Sequence, residues 1–134
     1  MKSCIISLAS NSNQEENLSE ARSRLGQILS DCSYTRSLWT KPYKASADSS
    51  FASEQKPAAN ESLYINQLLY ARTTLGVETL QEALKDIEQT MGRDEENRRK
   101  GIVPIDLDLM AYDKERYHLN DWQRPYIQLL LEKY

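Results

Sequence analysis

From residue 105 to 110 the chain alternates without a break: Ile105, Leu107 and Leu109 are apolar, while Asp106, Asp108 and Met110 take the positions between. A period of two belongs to a strand, here one with an apolar face and a wet face. The other periodic segments build a sheet around it. Residues 2–9 are a nearly continuous apolar run, read as a strand buried on both faces and ended by Ser10-Asn11-Ser12-Asn13. Asn13 with Glu16 three residues later marks a helix start, and Leu18, Ala21, Leu25, Ile28 and Leu29 carry the helical spacing on for about four turns. Residues 33–40 and 63–72 read as two further strands. After Glu78, Leu80, Leu84, Ile87 and Met91 return to helical spacing, and Gly92 stands where a left-handed cap is needed. The Leu129-Leu130-Leu131 cluster predicts a short closing helix. The order βαββαβ is the ferredoxin-like α+β layout, an antiparallel sheet with helices packed on it, in a single domain over residues 1–134 without internal repeats.

Charge narrows the function classes. With 17 Lys and Arg against 20 Asp and Glu the net charge is −3, so no positive field draws the protein to nucleic acid. The apolar run near the start is too short for a secretory leader or a membrane span, which leads to the expectation of a cytoplasmic protein with no membrane partner. Cys4 and Cys32 lack the close pairing of a zinc site or a disulfide scaffold and read as free thiols. A monomer is expected.

Asp106 and Asp108 carry the most chemical information. Two residues apart on a strand, their carboxylates reach one region of space, and hard oxygen donors on a rigid strand suit Mg²⁺. The plainer alternative is a solvent-facing strand with two acidic residues, although aspartate is depleted in strands.

Around this pair the sequence resembles the 6-hydroxymethyl-7,8-dihydropterin pyrophosphokinase family. The matching pieces are Ile87-Glu88 leading to Gly92-Arg93, the thirteen-residue step to Asp106-Leu107-Asp108, Leu8-Ala9-Ser10-Asn11, Tyr64-Ile65-Asn66, and His118 followed by Arg124-Pro125-Tyr126. They span residues 4 to about 131. The resemblance implies transfer of pyrophosphate from ATP to a pterin hydroxymethyl group in folate biosynthesis, with ATP and the pterin as small-molecule partners. It also implies two Mg²⁺ ions on Asp106 and Asp108, and Arg93, His118 and Arg124 on the triphosphate. Glu88 falls near the nucleotide, Tyr64 and Asn66 face the pterin, and Tyr126 stacks on it. Each has a plain alternative, such as a cation at a helix end for Arg93 or an ordinary strand aromatic for Tyr64.

The family pattern Arg-Trp-Gly-Pro-Arg is Arg99-Lys100-Gly101-Ile102-Val103 here. The tryptophan and the second arginine are missing, so Arg98, Arg99 or Lys100 is expected to reach the phosphates instead. Residues 41–61 and 93–103, poor in apolar anchors, are expected to be mobile until nucleotide and pterin bind. Three readings compete: an active pyrophosphokinase, a catalytically silent relative that binds ATP or a pterin, and a ferredoxin-like interaction or RNA-binding module.

Overall fold

A computed structural model describes residues 1–41, 52–56 and 63–132. In chain order the elements are β1 (Lys2–Ser10), α1 (Gln14–Leu25), β2 (Ser30–Tyr34), β3 (Leu38–Thr40), β4 (Tyr64–Thr73) and α2 (Val77–Thr90). They continue with α3 (Glu95–Arg99), β5 (Asp106–Tyr112), β6 (Glu115–Arg116), α4 (Leu119–Trp122) and α5 (Pro125–Glu132). Among the described residues the strands form one antiparallel sheet in the order β2-β4-β1-β5-β6, with β3 also on β4. Taking β2 and β3 together as the second strand, this is the ferredoxin-like arrangement expected from the βαββαβ order.

One sheet face packs against α1 and α2. Cys4, Ile6 and Leu8 of β1 and Leu107 and Leu109 of β5 meet Leu18, Ala21 and Leu25 from α1 and Leu80, Leu84 and Ile87 from α2. The other face is only partly covered. There α5 sets Ile127 and Leu130 on Leu38 and Leu68. Because the cover is partial, β1 alternates between buried and half-buried residues; the expectation of a strand buried on both faces is corrected.

Other expectations also change. The predicted strand 33–40 divides at Thr35, whose hydroxyl donates to the Arg36 carbonyl and accepts the Leu68 N–H. A side chain that satisfies neighbouring backbone breaks the ladder there. Helix α1 stops at Leu25, and Ile28 and Leu29 follow in a turn bonded to the Leu25 carbonyl. Asn13 makes no side-chain cap and lies in the left-handed region; the Asn17 amide closes that end by donating to Ser12. Gly92, at φ 103°, supplies the left-handed cap as expected.

Residues 93–103 are not an unanchored loop. They contain α3, whose Asp94 side chain accepts the Asn97 N–H at 2.8 Å, and the Asn97 amide donates to Gly92 O at 2.6 Å. Most of residues 41–61 lies outside the described residues.

Candidate active site

Register places the site. On the α5 side of the sheet Ala9 pairs with Asn66 on one flank and Asp106 on the other, and Ser7 pairs with Leu68 and Asp108. Asn66, Ala9 and Asp106 therefore form one row across three strands, with Asp108 one step along β5. The Asn66 amide donates to Thr40 Oγ1 at 2.8 Å and to Leu38 O at 3.1 Å, which fixes its plane.

Two clefts flank that row. The first, about 280 Å³, lies over the sheet beneath the start of α5 and is lined by Ala9, Thr40, Tyr64, Asn66, Arg124 and Tyr126, with Asp106 at its wall. The second, about 520 Å³, runs between α2 and β5 and is lined by Lys85, Glu88, Arg93, Arg98, Asp108 and His118, again with Asp106. Asp106 stands at the wall common to both.

Arg93 ties the acidic groups together. Its Nη1 lies 2.7 Å from Asp106 Oδ1 and 3.2 Å from Glu88 Oε2. The same Glu88 oxygen accepts the Leu107 N–H at 2.7 Å, so helix α2 is bonded to the strand between the two aspartates. Burial pushes the Glu88 carboxyl up to about 7 against the opposing pull of the Leu107 bond and Arg93. Asp108 is pushed up to about 6, first by burial and then by the Asp106 charge. A site that strains to hold its own negative charge suits a divalent cation. Asp106 and Asp108 supply hard oxygen donors, and no group of three His, Cys, Asp or Glu among the described residues is assembled for a metal. The remaining ligands would come from phosphate oxygens and water, the usual habit of Mg²⁺.

The opposite rim is built by α4. His118 precedes it in the left-handed region, φ 53°, with Nε2 4.0 Å from Asp108 Oδ1. Arg124 Nη1 donates to the Tyr126 hydroxyl at 3.2 Å. Burial raises the Tyr126 phenol, opposed by Arg124, and raises Tyr64, which adjoins Asp106, Arg93 and the Asn11 side chain.

Of the expected residues, Glu88, Arg93, Arg98, Asp106, Asp108 and His118 converge on the larger cleft. Tyr64, Asn66, Arg124 and Tyr126 converge on the smaller. Arg99 and Lys100 line neither, and the Lys100 ammonium lies 3.2 Å from Glu96. Asn11, which the family motif includes without a role, stands behind the strand ends, and two contributors escaped sequence reading: Lys85 in the cleft wall and Asp121, which contacts both Arg124 and His118. The spacing His118-x-x-Asp121-x-x-Arg124, three and three, was the available signal for the last.

A family model described as 7,8-dihydro-6-hydroxymethylpterin-pyrophosphokinase matches residues 5–133. The chain is 29% identical over 85 residues to a folate synthesis bifunctional protein of Arabidopsis thaliana, covering 58% of this chain and 18% of that protein. It is 36% identical over 84 residues to a mitochondrial folate synthesis bifunctional protein of Pisum sativum, covering 55% of this chain and 16% of the relative. The chain thus matches less than a fifth of either relative's length. The family match, however, takes in both clefts and all of the sheet but the first residues of β1, and the chain belongs to the 7,8-dihydro-6-hydroxymethylpterin-pyrophosphokinase family.

Proposed function

We propose that this protein transfers pyrophosphate from MgATP to the hydroxymethyl group of 6-hydroxymethyl-7,8-dihydropterin, a step of folate biosynthesis. The observation that carries the reading is the position of Asp106, in the wall shared by a cleft lined by both cations and carboxylates and an aromatic one. The triphosphate takes the larger cleft, near Arg93, Arg98 and His118. The pterin takes the smaller one, where the held Asn66 amide faces a ring of donors and acceptors and Tyr64 and Tyr126 offer aromatic surfaces. The alcohol oxygen bonds to the β-phosphorus, the bond from that phosphorus to the α-phosphate oxygen breaks, AMP departs and the alcohol proton passes to water.

Bound to Asp106 and Asp108, a pair of Mg²⁺ ions would neutralise phosphate charge and bring the two substrates into register. Arg93 holds Asp106 and Glu88 in place, and its guanidinium in the larger cleft would stabilise charge developing on a phosphate bound there. Free thiols at Cys4 and Cys32 accord with a reducing compartment, and we place the protein in the cytoplasm. Among the described residues only Met1 and Leu119 are exposed large hydrophobics, which supports a monomer. No described helix is long and apolar enough to cross a membrane. An RNA-binding sheet needs an open aromatic face in a basic surround, whereas this face carries Asp106, Asp108 and α5.

The test is AMP release from MgATP in the presence of the pterin. Asp106→Asn and Asp108→Asn should each lower it by about 10²-fold or more, the scale of losing preorganised charge stabilisation, with the fold retained by circular dichroism. Near-normal turnover in either variant refutes the metal assignment. The silent-relative reading draws on Val103 and on the pairing of Lys100 with Glu96; it predicts nucleotide binding with no AMP.

A further inference from the structure

Helix α4 has only four residues, and its backbone is closed by its own bonds: Asp121 N donates to His118 O at 2.8 Å and Arg124 N to Asp121 O at 3.1 Å. Its anchorage is Trp122, 7% exposed, whose indole N–H donates to the carbonyls of Met110 and Tyr117. The Asp121 side chain is therefore spared from both tasks. Its two oxygens are divided instead: Oδ1 lies 3.0 Å from Arg124 Nη2, and Oδ2 lies 3.9 Å from His118 Nδ1. Each partner in turn points to a different part of the site, Arg124 to the Tyr126 hydroxyl and His118 to Asp108.

We propose that Asp121 is a positioning residue for nucleotide binding, one carboxylate that presets the His118 imidazole in the larger cleft and the Arg124 guanidinium in the adjoining smaller one. This rests on the pyrophosphokinase reading of the cleft. An arginine free to rotate gives up side-chain entropy when it is fixed on a phosphate. A carboxylate that already holds the guanidinium by one edge removes part of that cost before ATP arrives. The guanidinium's other terminal nitrogen, Nη1, donates to the Tyr126 hydroxyl in the smaller cleft.

The readout is binding of a nonhydrolysable ATP analogue with Mg²⁺, followed by calorimetry on the full chain, beside AMP formation by the same preparations. Asp121→Ala should weaken analogue binding about tenfold, the worth of one charge-assisted hydrogen bond, and raise the KM for MgATP more than it lowers kcat. Asp121→Glu should recover part of the affinity. In an Arg124→Met background the same alanine change should cost clearly less, since the guanidinium it positions has gone. Equal losses in both backgrounds, or a lower melting temperature with unchanged Kd, would make Asp121 a structural residue and overturn the proposal. A wild-type chain that binds the analogue and forms no AMP defeats the pyrophosphokinase reading while leaving this one standing. A chain that binds no analogue defeats both.

Discussion

Asn11 concentrates more of the site's geometry than any residue that faces the substrates. Its Oδ1 accepts the Val103 N–H at 2.6 Å, its Nδ2 donates to Gly101 O at 2.9 Å, and its own N–H donates to Val103 O at 3.0 Å. These bonds fix the chain just before Asp106, and the same side chain adjoins Tyr64. Asn11→Ala removes two side-chain bonds and leaves the Val103 N–H without its acceptor. A stability loss of about 1–2 kcal/mol is expected, read from the urea midpoint, together with weaker binding of both substrates. A variant with unchanged substrate affinities would show that the clamp holds the loop and not the site. Val103 and Lys100 supply a second residue-scale expectation. Lys100 is engaged by Glu96, so Lys100→Ala should change turnover less than twofold, whereas Val103→Arg should raise it if a guanidinium at that position meets developing phosphate charge. A large loss in Lys100→Ala would transfer the phosphate role to the lysine.

Helix α3 is the element whose order is cheapest to disturb. It has five residues, none buried, and an Asp94 cap on its first turn. Asp94→Ala should remove about 1 kcal/mol of local stability and speed hydrogen exchange at Asn97–Lys100 amides, with the global melting temperature unmoved. Because Arg98 lines the larger cleft, proposed for the triphosphate, from this helix, the KM for MgATP should rise with it; an unaltered KM would exclude α3 from nucleotide binding. At this scale the sequence was readable wherever one period dominates a segment. The alternation 105–110 became β5, the spacing from Leu80 to Ile87 became α2, and the leucine cluster fell within α5. It was unreadable where short polar side chains redirect backbone bonds, as Thr35 does between β2 and β3 and Asp94 does in α3. The site follows the same division. Asp106 and Asp108 show themselves through local alternation, and Arg93 through its family spacing. Asn11 acts through partners that only folding brings near, across 90 and 92 residues of chain, whereas the partners of Asp121 stand three residues away on either side with no hydrophobic period to mark them.

Across the whole molecule, the site's unrelieved charge opposes the fold that creates it. Glu88 ionises near 7 in the folded protein against an ordinary 4.5, and Asp108 near 6 against 3.8, both mainly because burial disfavours the charged form. The folded state thus holds these two protons more tightly than the unfolded chain. Their contribution to stability is complete at acid pH, below the unfolded values, and is lost as pH rises through 6 and then 7. Glu88→Gln fixes the neutral form and keeps an acceptor oxygen for the Leu107 N–H. Without metal it should match the wild type near pH 4 and exceed it at pH 8, by about 1–2 kcal/mol once partial solvent exposure is allowed for. Mg²⁺ bound as proposed would act in the opposite sense, taking the ionised carboxylates and stabilising only the state that assembles them. Adding it should raise the wild-type urea midpoint at pH 8 and leave it nearly unchanged at pH 5, where protons compete for Asp108. A wild-type and Glu88→Gln difference that is flat from pH 4 to 8 would place the Glu88 charge outside this balance. A Mg²⁺ effect of equal size at both pH values would mean that the ion binds elsewhere than on Asp106 and Asp108.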